Sequence, residues 1–191
     1  MKVLKLNEIY KILNVSPDNN DDIEIINMTN DITKINNNTL VFHLKKDIEL
    51  DIDQFNKLSN CYIVTDQPIL NHYNVSLRCF IFVLDVNKAY YQFINYYRDL
   101  FKIPVVAITG TCGKTTTKEM IKQVLEKDYK ISSTVSNINN LGVNNEYLLS
   151  IDEDTNYGVF ETAISYPGNL IEGRSYFKPT IGVITNIGID H

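Results

Sequence analysis

The chain has 191 residues, of which 18 are Lys or Arg and 23 are Asp or Glu, so its formal net charge at pH 7 is −5. This mild acidity argues against nucleic-acid binding through a broad basic face, and a hydrophobic content of 44% is too high for a disordered chain. The three cysteines lack zinc-site spacing and no apolar run approaches the length of a membrane span, so we expect a cytoplasmic protein with no membrane span.

Residues 1–85 predict a small α+β domain. Leu6, Ile9, Tyr10 and Leu13 recur at the spacing of one helical face, which predicts an opening helix. Runs of β-branched and aromatic residues, bounded by Asn, Asp and Pro, then predict four short strands: Ile23–Asn27, Thr39–Leu44, Tyr62–Thr65 and Cys79–Leu84.

A helix is predicted from Val86 to Phe101, and residues 86–103 are interpreted as the connector between two parts of the chain. Asp85 is placed to cap the first turn of this helix, and Pro104 follows its end. The pattern of apolar residues changes after this point, which is why the boundary is drawn here.

Residues 104–191 alternate between predicted strands and predicted helices. The predicted strands are 105–110, 130–134, 156–162 and 181–187, and the predicted helices are 115–127 and 140–150. The first of these helices is predicted to direct four apolar side chains inward: Met120, Ile121, Val124 and Leu125. A short connection containing Gly and Pro is predicted before the last strand. Because the strands lack polar alternation, they indicate a parallel sheet covered by helices on both faces.

The sequence GTCGKTTT, at residues 110–117, lies between a predicted buried strand and a predicted helix, which is the context of a phosphate-binding loop. Glycines let several backbone N–H groups point at one anion, and the helix adds its positive N-terminal end. Ile108 stands where the longer form of this motif has a glycine, so the loop is a shorter variant. We expect seven residues to bind the ATP phosphates: Gly110, Thr111, Cys112, Gly113, Lys114, Thr115 and Thr116.

This loop and three later segments resemble the Mur ligases, which are ATP-dependent enzymes that add amino acids or dipeptides to the peptidoglycan precursor. The similar segments are GTCGKTTTKEM at 110–120, SNINNLGVNNEYLL at 136–149, FETAIS at 160–165, and KP followed by IGVITNIGIDH at 178–191. Within the family, TTTKEM and NINN most resemble the branch that adds D-alanyl-D-alanine. Residues 5–13 and 30–47 are more weakly similar to the family's UDP-sugar-binding domain.

The resemblance implies an α/β fold in which a P-loop-type parallel sheet with flanking helices, an incomplete Mur ligase central domain at 104–191, follows a small α+β domain at 1–85. It also implies ATP- and Mg²⁺-dependent formation of an amide bond. The carboxylate of a UDP-N-acetylmuramoyl-peptide would be joined through an acyl phosphate to an amino acid or to D-alanyl-D-alanine.

Carried over by motif, the resemblance assigns catalytic roles to Lys114, Glu161 and His191. Thr115 and Glu161 would hold one Mg²⁺, and His191 would be the protein ligand of a second. Independently of the resemblance, the loop follows one predicted parallel strand, Glu161 lies at the end of another, and His191 comes four residues after a third. The carboxyl ends of such strands face one crevice. Two further residues are expected near the transferring phosphate and the substrate: Asn140 and Thr162.

Three interpretations remain open at this point. The chain is an N-terminal piece of a Mur-type ligase, or a non-catalytic nucleotide-binding module that works with a second chain, or an unrelated small P-loop phosphotransferase. The first is favoured, because the four motifs occur in the family's order. The third lacks the Arg-rich lid expected of such enzymes, since Arg174 is the only arginine after the loop. Whether these 191 residues catalyse the reaction alone stays open.

Overall fold

The computed structural model describes residues 1–17, 22–44, 55–67, 79–134, 145–162 and 167–188. The chain forms two compact units, Met1–Tyr96 and Tyr97–His191. Each unit contains a four-stranded parallel sheet. Within the described ranges, no helix has the length and apolar character needed to cross a bilayer.

The first unit is built on strands β3 to β6, which pair in that order, while β1 and β2 form a separate antiparallel ladder. Its elements are β1 (Leu4–Lys5), α1 (Leu6–Ile12), β2 (Glu24–Ile25), β3 (Asn27–Thr29), a 3₁₀ turn (Ile32–Lys34), β4 (Thr39–Phe42), β5 (Tyr62–Thr65), β6 (Phe80–Phe82) and most of α2 (Val86–Asp99), whose last three residues belong to the second unit. All four residues of β4 are buried. Continuous burial of this kind is typical of a parallel sheet covered on both faces.

The predicted opening helix, the last three predicted strands and the predicted helix from Val86 are present as α1, β4, β5, β6 and α2. Two further predictions for this unit have the following outcomes. The predicted strand 23–27 is divided at Ile26, because β2 pairs with β1 whereas β3 pairs with β4. The cap of α2 is confirmed, since Oδ1 of Asp85 accepts a hydrogen bond from the N–H of Lys88 at 3.1 Å. A side-chain acceptor at this position satisfies an N–H group that has no partner within the helix.

The second unit orders its parallel strands β10–β7–β9–β8. Its elements are β7 (Val105–Thr109), α3 (Lys114–Leu125), β8 (Ile131–Ser133), a 3₁₀ helix (Asn145–Ser150), β9 (Tyr157–Glu161), α4 (Asn169–Phe177) and β10 (Ile181–Ile184). The four predicted strands are therefore confirmed, with shorter bounds. Residues 145–150 of the predicted helix 140–150 form the 3₁₀ helix, and the rest lies outside the described residues.

Two predictions for the second unit are wrong. The stretch between the third and fourth predicted strands, interpreted as a connection, contains the helix α4. The sequence did not indicate this helix, because Gly168 precedes it and Gly173, a poor helix former, lies inside it. On α3, Met120 and Val124 are 63% and 65% exposed instead of buried. The inward position one turn before Ile121 is occupied by Lys118, which is fully buried. A charged residue at this spacing was not predicted to face the core.

Arg98 links the end of α4 to the segment that follows α2 through hydrogen bonds to backbone carbonyl groups. Its side chain is 5% exposed, and its guanidinium donates to the carbonyl oxygens of Phe177 at 3.0 Å and of Phe101 at 2.6 Å. Next to it, the hydroxyl of Tyr97 donates to the carbonyl of Ile151 at 2.7 Å. These bonds satisfy carbonyl groups at the ends of elements, where no ladder or helix partner is available.

We predict that Arg98→Met lowers the free energy of unfolding by about 2–4 kcal/mol, because it leaves buried carbonyl oxygens without a donor. Chemical denaturation of the purified chain measures this loss. The exposed Arg174 supplies the matched control, and Arg174→Met should change stability by no more than about 0.5 kcal/mol. Equal effects of the two substitutions would contradict the role assigned to Arg98.

Candidate functional site

The loop between β7 and α3 turns sharply at two glycines. Gly110 has φ +135° and Gly113 has φ +81°, and both values lie in a region that side-chain-bearing residues rarely adopt. Gly113 immediately precedes α3, so no side chain at that position caps the first N–H groups of the helix. A helix N-terminus left open in this way is a favourable site for an anion.

The segment that follows β10 braces this loop. The Thr185 hydroxyl lies 2.6 Å from the carbonyl oxygen of Cys112. Oδ1 of Asn186 accepts from the N–H of Cys112 at 3.0 Å and from the hydroxyl of Thr111 at 3.1 Å, and the N–H of Gly188 donates to Oγ1 of Thr111 at 3.0 Å. The loop conformation is therefore held by side-chain and backbone groups of the residues that follow a neighbouring strand.

Lys114 is the first residue of α3 and bends back over the loop. Its ammonium donates to the carbonyl oxygens of Gly110 at 2.7 Å and of Thr111 at 3.3 Å. The side chain is half-buried and lines a cavity of about 350 Å³. The other residues that line this cavity are Thr111, Cys112, Gly113, Thr115, Thr116 and Glu161.

Glu161, the last residue of β9, places a buried carboxylate in the cavity. It is 1% exposed, and neither carboxylate oxygen has a hydrogen-bond partner among the described residues. The hydroxyl of Thr162, the next residue, is likewise buried without a described partner. Because an uncompensated buried carboxylate is costly, this arrangement fits a group whose compensating charge comes from a ligand or a metal ion.

The donors available here fit Mg²⁺. This ion prefers oxygen ligands and is commonly held by one or two carboxylates together with the phosphates of a substrate, keeping several waters. Glu161 supplies the carboxylate, and Thr115 brings a hydroxyl to the same cavity. In the described ranges, no group of three His, Cys, Asp or Glu residues forms a metal site complete in itself, so substrate oxygens would have to supply the remaining ligands.

Tyr147 adds a polar group that the sequence did not single out. Its ring packs against Phe160 and Phe177, with centroid distances of 5.6 Å and 5.9 Å. Burial, and to a lesser degree the charge of Glu161, raise the pKa of the Tyr147 phenol. The phenol is therefore a neutral donor at physiological pH, and its hydroxyl has no described partner.

The predicted site residues are distributed as follows. Six of the seven predicted loop residues, all except Gly110, line the same cavity as Glu161, and Thr162 follows Glu161 directly on the chain. Asn140 and His191 lie outside the described residues. The thiol of Cys112 is exposed and accepts from Nδ2 of Asn186 at 2.9 Å. The bracing by Thr185 and Asn186 was not predicted, although both belong to the TNI motif that ends the last strand.

Comparison with known proteins gives a consistent result. A family model described as the Mur ligase middle domain matches residues 108–191. The UDP-N-acetylmuramoyl-tripeptide–D-alanyl-D-alanine ligase of Synechocystis sp. is 36% identical over 130 residues, which cover 68% of this chain and 28% of that protein. The ligase of the same name from Rickettsia prowazekii is 33% identical over 142 residues, 73% of this chain and 30% of its own. The chain thus spans less than a third of these relatives.

Solved structures share the fold. A UDP-N-acetylmuramoylalanyl-D-glutamyl-2,6-diaminopimelate–D-alanyl-D-alanyl ligase from Acinetobacter baumannii superposes with a TM-score of 0.83 at 24% identity, over 100% of this chain and 43% of that one. A MurF ligase from Thermotoga maritima, solved in complex with ADP, gives 0.70 at 22% identity, over 85% and 38% of the two chains.

We predict that Gly110→Ala disrupts the loop. A Cβ atom there would lie 2.1 Å from Oγ1 of Thr185 and 3.0 Å from the backbone of Asn186. Gly168 is the matched control, because its φ of +95° is also positive but no described atom lies within 4 Å of its added Cβ.

In denaturant unfolding, Gly168→Ala should cost about 1–2 kcal/mol of backbone strain. Gly110→Ala should cost about 1–3 kcal/mol more, because steric overlap adds to the strain. If the two variants unfold at the same denaturant concentration, the close approach of Thr185 to the loop does not constrain Gly110.

Proposed function

Since residues 108–191 of this chain belong to the Mur ligase family, we propose that the protein takes part in ATP- and Mg²⁺-dependent amide-bond formation on a peptidoglycan precursor. The proposed substrate is a UDP-N-acetylmuramoyl-peptide, and the proposed second substrate is D-alanyl-D-alanine or an amino acid. The names of the curated relatives support this choice of substrates.

One structural observation is the main support for this proposal. The buried Glu161 carboxylate, which has no partner among the described residues, lines the same cavity as the phosphate-binding loop. A loop alone would support binding of any phosphate-containing ligand. A buried carboxylate beside it supports a nucleotide bound together with a divalent cation, because the cation offsets the repulsion between carboxylate and phosphates.

The proposed reaction has two steps. In the first, an oxygen of the substrate carboxylate attacks the γ-phosphorus of ATP, the bond to the β-phosphate breaks, and ADP leaves. In the second, the amine of the incoming amino acid or dipeptide attacks the acyl carbon, the C–O bond to phosphate breaks, and the amine loses a proton. The products are an amide and inorganic phosphate.

The residues of this chain would act mainly by positioning and by charge. The ammonium of Lys114 and the N–H groups of the loop would hold the β- and γ-phosphates and stabilise charge that spreads over the transferring oxygens. Thr115 and Glu161 would hold Mg²⁺, which neutralises phosphate charge when bound. We further propose Asn140 and Thr162 near the transferring group and His191 as ligand of a second Mg²⁺.

Nucleotide binding tests the proposal. We expect the chain to bind a non-hydrolysable ATP analogue in calorimetric titration, and to bind it more tightly when Mg²⁺ is present. Lys114→Ala should weaken binding by about tenfold or more in either condition, because a charge-assisted contact to phosphate is lost. Glu161→Gln should not weaken metal-free binding, because it removes a negative charge beside the phosphates, but it should abolish the Mg²⁺ enhancement.

Lys122→Ala is the matched control, because Lys122 lies on the same helix and pairs with Glu126 at 3.4 Å, away from the cavity. Its binding should equal that of the wild type. The proposal fails if a folded wild-type chain shows no Mg²⁺-enhanced nucleotide binding. ADP formation from ATP on addition of a UDP-N-acetylmuramoyl-peptide then tests the first chemical step.

A further inference from the structure

A fully buried lysine lies beneath the candidate site. Lys118, on the second turn of α3, has 0% exposure. Its ammonium donates to the carbonyl oxygen of Thr134 at 2.9 Å and pairs with Oε1 of Glu119 at 3.0 Å. The Lys118 ammonium holds the pKa of the Glu119 carboxyl below its usual range, so Glu119 stays charged.

Burying an ammonium is expensive, and a purely structural position would be served at lower cost by an apolar residue of similar length. Ile121 and Leu125, on the same face of α3, show that apolar side chains fit against this sheet. Packing alone therefore does not explain why a charged residue occupies position 118. The hydrogen bond from Lys118 to the carbonyl of Thr134 suggests a reason.

Thr134 connects Lys118 to Glu161. Thr134 follows the end of β8 and is 1% exposed. Its carbonyl accepts from Lys118, while its hydroxyl oxygen accepts from the backbone N–H of Glu161 at 3.3 Å. The opposite side of the same strand end is fixed by the N–H of Thr162, which donates to the carbonyl of Ile108 at 2.9 Å.

The β8–β9 pairing ends one residue before Thr134 on β8 and two residues before Glu161 on β9. Its last Cα partners are Ser133 and Val159, so the ladder does not extend to Glu161. Beyond the end of the ladder, the hydroxyl of Thr134 accepts the hydrogen bond from the N–H of Glu161. The orientation of this hydroxyl depends on the backbone of Thr134, whose carbonyl is bound by Lys118 of α3. Without this contact, the described hydrogen bonds at the end of β9 would all come from the β7 side.

We propose that Lys118 is a positioning residue for Glu161, acting through Thr134 to aim the Glu161 carboxylate at a metal ion. This inference rests on the proposed function, because it takes Glu161 as a ligand of Mg²⁺. Lys118 does not touch the nucleotide. It holds the strand end from which the ligand projects, as outer-shell partners do in other metal sites.

Titration of Mg²⁺ into the chain saturated with the non-hydrolysable ATP analogue tests this role. Lys118→Met keeps the length of the side chain but removes its charge and its donors, and we expect about a tenfold loss of Mg²⁺ affinity. Metal-free nucleotide binding should change by less than about twofold, because Lys118 is not among the residues that line the cavity. A merely structural lysine would weaken nucleotide binding equally with and without metal.

Thr134→Val keeps the inference testable if Lys118→Met fails to fold, because it preserves the side-chain shape and the carbonyl that Lys118 binds. It should produce a similar selective loss of Mg²⁺ affinity. Its control is Thr155→Val, which removes another buried hydroxyl, one that lies 2.9 Å from Oδ1 of Asp152. That variant should bind Mg²⁺ like the wild type.

A double variant adds a second readout. In the Glu161→Gln background, Lys118→Met should have no further effect on the Mg²⁺ response, because the group that Lys118 positions is already gone. If the wild type and Glu161→Gln behave as proposed but Lys118→Met and Thr134→Val keep wild-type Mg²⁺ affinity, the inference is overturned and the proposed function stands. If the wild type shows no Mg²⁺ response, both are overturned.

Discussion

The candidate site depends on the parallel alignment of β7 with both of its neighbours. Ile108 is the register partner of Glu161, and Thr109 is the partner of Ile184. Because all these strands run in the same direction, their carboxyl ends meet at one edge of the sheet. That edge receives the loop 110–113 from β7, Glu161 from β9 and the bracing segment from β10. An antiparallel pairing at either side of β7 would have removed one of these groups from the site.

Buried charged side chains are the second feature of the candidate site and of the unit Tyr97–His191 that contains it. Arg98, Lys118 and Glu161 are all at least nine-tenths buried. The two cations have hydrogen-bond acceptors within the chain, whereas the carboxylate has no described donor. In the low-dielectric interior an unpartnered charge interacts strongly with any ion that reaches it. The same burial that makes Glu161 costly in the free protein makes it effective toward a cation.

Much of the second unit could be predicted because local patterns and tertiary structure agree there. The apolar run 105–110, the glycines of the loop and the following helix each indicate the same strand–loop–helix arrangement. Prediction was less successful where the local pattern had two meanings. The charge of Lys118 predicts an exposed position, whereas its spacing from Ile121 predicts a buried one. Only the tertiary contact with the carbonyl of Thr134 shows that the side chain is buried. Helix α4 was missed because its glycines favour a loop in isolation, and tertiary packing of Phe177 against Phe160 outweighs that preference.

The amino-acid sequence by itself determined the class of the second unit and the position of the glycine-containing loop between β7 and α3. These features depend on short-range chemistry, namely on glycines with positive φ, a helix N-terminus and strand-forming side chains within one stretch of chain. Only the tertiary structure decided that Thr185 and Asn186 brace the loop, that Thr134 supports Glu161 and that Lys118 anchors Thr134. Those contacts join residues that are 16 to 75 positions apart. No local propensity encodes such pairs, because they form only once the order of strands in the sheet brings their ends together.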